Sequence, residues 1–154
     1  MIKSGVNYLK TTELSVVVPT YNEKSNIYKL VESLEFVLKD INWEIIFVDD
    51  NSPDKTAEEV RKISKVNSKV HIIHRIGRRG LSSACVEGAI YASSKYVLIM
   101  DADMQHDETI IIRMLNTIKS GNYNLIVGSR FVDGASASTG LSKIRENGSK
   151  LAMW

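Results

Sequence analysis

Five short apolar runs alternate with four stretches whose apolar residues recur every three or four positions, and no other feature constrains the fold of this chain as much. The runs cover residues 14–18, 44–48, 70–74, 96–100 and 125–129. The first is β-branched and continuous rather than alternating in polarity, as a parallel strand buried on both faces must be. Between the runs, Ile27, Leu30, Val31, Leu34, Val37 and Leu38 lie at helical spacing, and Val60 with Ile63 gives a second helix a modest inner face. Leu81, Ala84, Cys85, Gly88, Ala89 and Ala92 form a third inner face, of mostly small residues that imply close packing on a sheet. Ile110, Ile111, Met114, Leu115 and Ile118 form a fourth, with Gly121 as its C-terminal stop. Alternation of strand and helix predicts an α/β fold: a mostly parallel, Rossmann-like sheet with helices on both faces, linked by right-handed crossovers.

Turn chemistry marks the ends of these elements. Pro19 is expected to end the first strand, and Ser52 or Asp54 to cap the second helix with Pro53 in its first turn. At 154 residues the chain fits one domain, with residues 1–12 a flexible lead-in and 13–154 the folded part. Residues 133–140 are small and polar, a loop by composition. A further helix starts near residue 141 and stops on Leu151-Ala152-Met153-Trp154 without a cap, so the domain is expected to be truncated at its C-terminus.

A net charge of +2 is too small to argue for nucleic acid. The positive residues cluster, however: Arg75, Arg78 and Arg79 in one loop, and Lys143, Arg145 and Lys150 near the C-terminus. Such clusters are either solvated surface or places that meet phosphate or an anionic membrane. A lone cysteine, Cys85, excludes an internal disulfide and fits a reducing compartment. It sits on an apolar helix face as a small buried residue, not a nucleophile. No stretch reaches the length of a membrane span and no signal peptide opens the chain, so a cytoplasmic or peripherally attached protein is expected.

The chemistry gathers where the runs end. Val48-Asp49-Asp50 closes the second run and Asp101-Ala102-Asp103 the fourth. In an open α/β sheet, ligands bind outside the carboxyl ends of the strands. Adjacent carboxylates repel one another in water, and a bound Mg²⁺ or Mn²⁺ removes that cost while tying both to the oxygens of a diphosphate. Gln105 adds a neutral oxygen. The competing reading is an acidic turn ahead of a helix, for which Asp107 and Glu108 suffice. His106 is not required by an oxygen-rich site and reads as solvated. Pro19-Thr20-Tyr21-Asn22-Glu23 offers a rigid turn, a ring and a carboxylate, suited to a nucleotide base and equally to the start of a helix. Arg130, at the end of the fifth run, has the fork of donors that a phosphate takes. Arg145 and Ser149 stand one helical turn apart.

Taken together these segments resemble the family 2 inverting glycosyltransferases of GT-A fold, within them the dolichol-phosphate mannosyltransferase group and its polyprenyl-phosphate relatives. The resemblance rests on Val-Pro-Thr-Tyr-Asn-Glu (18–23), Val-Asp-Asp-Asn-Ser-Pro-Asp (48–54), Gly80-Leu81 before a small-residue helix, Met-Asp-Ala-Asp-Met-Gln-His (100–106) and Val-Gly-Ser-Arg-Phe (127–131), in the family's order. It implies that Pro19, Tyr21 and Glu23 frame the nucleotide, and Val48 and Asp50 its base. Asp101, Ala102 and Asp103 would line the diphosphate, with Asp101, Asp103 and Gln105 around Mg²⁺ or Mn²⁺. Arg130 would meet donor or acceptor phosphate, and Arg145 and Ser149 the acceptor phosphate. The implied partners are a nucleotide-sugar donor, GDP-mannose first, a lipid-phosphate acceptor and the cytoplasmic face of a membrane. Attack by an acceptor phosphate, already ionised, needs no strong base and would invert the anomeric centre. A UDP-sugar transferase acting on undecaprenyl phosphate or a polysaccharide, or a nucleotide-binding domain without turnover, are the alternatives. The chain departs from the family at Asn51 and Lys55, where glycine is usual, and at Asp107, where proline is.

Overall fold

The computed structural model describes residues 11–129. The chain divides into two compact units, Met1–Glu108 and Thr109–Trp154. In the first, strands and helices alternate as β1 (Leu14–Thr20), α1 (Lys24–Val37), β2 (Trp43–Asp49), α2 (Thr56–Ser64), β3 (Val70–His74), α3 (Leu81–Tyr91) and β4 (Tyr96–Ile99). The four strands form one all-parallel sheet in the order β3-β2-β1-β4. The order doubles back between β1 and β4, so the chain fills the sheet outward in one direction and then in the other. Helices that follow strands added in opposite directions lie on opposite faces when crossovers are right-handed.

Burial follows from this. Every residue of β2 is buried, and every residue of β1 except Pro19, as central strands covered on both faces require. Val17, Ile46 and Val48 form one core with Ala84 of α3, and by the strand period Val16, Val18, Ile45 and Phe47 point the other way. That second face is left for α1, which buries Ile27, Leu30, Val31 and Leu34, and for α2, which buries Thr56, Ala57 and Val60. α3 lies unusually close to the sheet. A Cβ built on Gly88 would stand 2.9 Å from Val48 Cγ2 and nearer still to Val17 Cγ1, so only glycine fits.

The structure departs from expectation in three places. β1 does not stop at Pro19 but runs through it to Thr20. Met100 N–H donates to Val17 O on the β4 side, and Asp50 N–H to Thr20 O on the β2 side. In a parallel strand alternate residues face alternate neighbours, so the missing N–H of Pro19 faces β4, which has already ended at Ile99. The proline costs no ladder bond. α2 begins later than expected, at Thr56, because Lys55 sits in the left-handed region (φ 71°) and Asp54 accepts the Thr56 N–H at 2.9 Å. The third departure lies in the second unit. There α4 (Ile110–Lys119) buries Ile111 and Leu115, and Gly121 (φ 80°) follows its end. Among the described residues the segment 125–129, expected as a fifth strand, carries no ladder, and Leu125 and Val127 are exposed. A short apolar run is a strand only when a neighbour takes its backbone donors and acceptors.

Candidate active site

The carboxyl ends of β2, β1 and β4 stand side by side, and they carry the acidic clusters. Asp50 follows β2 and Asp101 follows β4, with β1 between them. Two strand spacings separate β2 from β4 by about 10 Å, the span of a nucleoside diphosphate's polar spine rather than of a direct contact. Both carboxylates fall on the α3 side of the sheet by strand alternation. The charge of Asp101 reaches Cys85 of α3, whose thiol is pushed up first by burial and then by that carboxylate.

The two ends of this edge differ in character. Asp50 is 8% exposed and held from three directions. Gly80 N–H donates to its Oδ2 at 2.8 Å, its own N–H donates to Thr20 O at 3.1 Å, and Arg75 Nη1 lies 3.0 Å from Oδ1. Asp101, by contrast, has a side chain 59% exposed, with His106 Nε2 at 3.4 Å from Oδ2. Asp103 is exposed and accepts the Gln105 N–H on Oδ1 at 3.0 Å, closing a tight turn through Met104 (φ 58°). Ala102 between them is buried and pins the turn to the core.

The loop after β2 is tied to the start of α1. Asp49 is fully buried and acts as a turn residue, accepting Ser52 Oγ at 2.5 Å and Ser52 N–H at 3.0 Å. In turn Ser52 Oγ accepts Asn22 N–H (3.0 Å), Thr56 Oγ1 accepts Glu23 N–H (3.0 Å) and Asp54 Oδ2 accepts Lys24 N–H (3.0 Å). The open donors at the N-terminus of α1 are therefore satisfied by a neighbouring loop and not by α1's own cap. Burial pushes the Asp54 carboxyl up, but the Thr56 hydroxyl, the N–H groups of Lys24 and Thr56 and the Lys24 charge together bring it below its ordinary range.

Tyr21 is 46% exposed, and Arg79 Cζ stands over its ring at 4.9 Å, a cation–π contact. Asn51, Gly77, Arg78 and Arg79 line a cleft of about 360 Å³ nearby. Pro19 is half-buried, and Glu23 accepts Asn26 Nδ2 on Oε2 at 2.7 Å. Val48 is fully buried with its side chain packed toward α3, so that side chain is taken up by the core. Arg130, Arg145 and Ser149 lie outside the described residues.

Could this edge hold a divalent cation? Among the described residues no three His, Cys, Asp or Glu side chains converge as a ready cage. Mg²⁺ does not ask for one: it keeps waters and binds through one or two carboxylates plus substrate phosphates. Asp101 and Asp103, exposed and two residues apart, with the Gln105 amide close by, supply the hard oxygen set that Mg²⁺ or Mn²⁺ takes. The residues fit.

Residues 15–148 match the Glycosyl transferase family 2 domain. The chain belongs to that family. It is 39% identical over 122 residues to the dolichol-phosphate mannosyltransferase of Pyrococcus furiosus, covering 79% of this chain and 34% of that protein. It is 38% identical over 128 residues to the enzyme of the same name from Saccharomyces cerevisiae, covering 79% of this chain and 46% of the relative. Among solved structures it is similar to a Pyrobaculum calidifontis mannosyltransferase in complex with GDP-Man and Mn²⁺, with a TM-score of 0.57 and 26% identity over 70% of this chain and 31% of the other. The chain thus spans about a third to a half of the relatives it matches. The α/β, GT-A-like architecture expected from the sequence is borne out by the parallel sheet and by this neighbour.

What sequence reasoning missed is the division of labour among the three arginines after β3. Grouped by sequence as one basic loop, they do three different things. Arg75 is 1% exposed and internal, Arg78 pairs with Glu87, and Arg79 covers Tyr21. The available signal was Glu87, a carboxylate on the otherwise small and apolar α3, which needs a cation close by.

Proposed function

We propose that the protein carrying this chain is an inverting glycosyltransferase that moves a hexose, mannose from GDP-mannose, to a polyprenyl or dolichyl phosphate at the cytoplasmic face of a membrane. The observation that carries the reading is the pairing, at one switch-point edge, of a fixed carboxylate at Asp50 with the exposed Asp101 and Asp103. Family membership and the dolichol-phosphate mannosyltransferase relatives support it.

In this reading Pro19, Tyr21 and Glu23 frame the nucleoside, and Asp50 with the end of β2 at Val48 lies beside its base. The buried Ala102 fixes the turn along which the diphosphate runs. Asp101, Asp103 and Gln105 would hold Mg²⁺ or Mn²⁺, which when bound would supply countercharge for a departing diphosphate. Arg130 would add a permanent positive charge for the same anion. Transfer passes through an oxocarbenium-like state. An acceptor phosphate, anionic at neutral pH, attacks without a general base, with Arg145 and Ser149 gripping it. Attack on the face opposite the leaving group yields a β-linked product from an α-linked donor. No helix among the described residues is long and apolar enough to cross a membrane.

Calorimetric titration with GDP-mannose in the presence of Mn²⁺ tests this. Binding is expected for the parent, with loss on chelation and loss in Asp103→Ala. Transfer of labelled mannose to dolichyl phosphate by the whole protein tests the acceptor. Preference for UDP-glucose over GDP-mannose, or unaltered donor affinity in Asp103→Ala, would overturn the assignment.

A further inference from the structure

Arg75, 1% exposed, is the one buried lysine or arginine among the described residues, and its position is unusual for a side chain in a loop after a strand. Its guanidinium meets four groups. Nη1 is 3.0 Å from Asp50 Oδ1 and donates to Gly80 O at 3.2 Å, Nη2 donates to Ser83 Oγ at 2.6 Å, and Nε is 3.3 Å from Glu87 Oε2. Its backbone N–H donates to Asp49 O at 2.8 Å. A single planar fork thus ties the end of β2 to the first two turns of α3. Gly80 closes the ring: its N–H donates to the same Asp50 carboxylate while its C=O accepts from Arg75.

The arrangement leaves Asp50 with work to do. A carboxylate has about four lone-pair sites. Arg75 and Gly80 address one oxygen each; Oδ1, on the Arg75 side, is buried, Oδ2 accepts from Gly80, and Asp50 as a whole residue is 8% exposed. An ionised carboxylate only accepts, so it favours a base edge that presents adjacent donors. Guanine offers an N–H beside an NH₂, whereas uracil offers a single N–H. Fixed in position and charge, Asp50 can tell them apart; free to turn, it cannot.

We propose that Arg75 is a positioning residue that sets base preference: without touching the donor, it holds the Asp50 carboxylate against the start of α3 and thereby favours guanine over uracil nucleotides. The proposal rests on the glycosyltransferase reading of the same edge. Glu87 neutralises the second side of the guanidinium, and Arg78 in turn pairs with Glu87, so Arg75 is braced from the solvent side as well.

The test is the ratio of GDP to UDP affinity, measured calorimetrically with Mn²⁺ on the full chain, alongside inorganic pyrophosphate and the melting temperature. The parent is expected to prefer GDP. Arg75→Lys keeps the charge and loses the fork; its preference is expected to fall about tenfold, the scale of one well-aligned charged hydrogen bond. Pyrophosphate affinity should not change. A general loss of structure would lower all three affinities together and leave the ratio alone. Should Arg75→Lys fail to fold, Glu87→Gln, which releases only the outer brace, is expected to move the ratio in the same direction by a smaller factor. A parent that binds both nucleotides equally, or a folded variant with the parent's ratio, overturns the inference. A parent that binds neither nucleotide overturns the glycosyltransferase reading instead.

Discussion

Replacing Gly88 by alanine sets two opposed effects against each other, and the structure decides between them. In an exposed helix the change would gain about 1 kcal/mol, because glycine forfeits more backbone entropy on folding. Here the added methyl meets Val48 Cγ2 at 2.9 Å and crowds Val17 Cγ1 more tightly still. Neither neighbour can step aside. Both valines are fully buried on adjacent central strands, and a β-branched side chain has few rotamers to choose from. The helix itself must lift, and with it Ala84 one turn earlier on the same face. Overpacking of this kind costs about 1–3 kcal/mol and occasionally more, so Gly88→Ala is expected to destabilise by about 1–2 kcal/mol after the helical gain. Urea unfolding is the assay, with an unchanged m-value as the sign that only stability has moved. Val17→Ala removes the nearest obstacle, so the double variant should be more stable than the sum of the two losses by at least about 0.5 kcal/mol. If Gly88→Ala were as stable as the parent, or if the two changes were additive, the close approach of α3 to the sheet would be refuted.

Two further outcomes follow from local geometry. Lys55 holds a left-handed conformation (φ 71°) that costs an L-residue about 1–2 kcal/mol, so Lys55→Gly is expected to stabilise by about 0.5–1 kcal/mol once glycine's own entropic cost is subtracted, read as a higher urea midpoint. A lower midpoint would mean the Lys55 side chain contributes more than the strained backbone costs. Burial pushes the Glu44 carboxyl up, but the Ser15 hydroxyl, the Ser93 N–H and hydroxyl and the His71 ring together hold it below its ordinary value of 4.5. Its folded-state pKa is depressed, so its contribution is complete above about pH 4.5 and is lost as pH falls further through the folded value. Glu44→Gln should therefore flatten the acid side of the stability–pH curve, measured by urea unfolding between pH 3 and 7; an equally steep acid limb would refute the role.

The fold was legible because its signal is periodic. Runs such as 14–18 and 44–48 have no polar side, and only a strand covered on both faces can use them. The small residues Ala84 and Gly88 announced the tight helix in the same way. What could not be read were features that depend on which residues meet across the sheet. Ser52 and Asp54 look like the caps of the helix that follows them, yet their oxygens also serve the N-terminus of α1, which lies beside them only after β1 and β2 have paired. Arg75 looks like part of a basic loop, and only the crossover that lays α3 back on the sheet gives it Glu87. The segment 125–129 is the converse: its pattern is right for a strand, yet it carries no ladder among the described residues. The acidic clusters were legible in place, at the strand ends, though not in state, since nothing local marks Asp50 as anchored and Asp101 as open.

That difference in state bears on how such an edge could work. A carboxylate anchored by Arg75 and Gly80 has paid its ordering cost during folding, so a base that docks on it meets acceptors already aimed. The exposed pair Asp101 and Asp103 is the reverse: two like charges in water, close along the chain, favoured only when a cation joins them. An anchored end gives selectivity that does not depend on the ion, whereas an open end makes retention of the diphosphate depend on it. On the proposed reading the choice of base would therefore not depend on the metal, whereas the affinity that holds the whole donor would, and that affinity is what chelation removes. Release after transfer then needs only the open end to let go, while the rigid end, built into the packing of α3 on β1 and β2, stays set for the next donor.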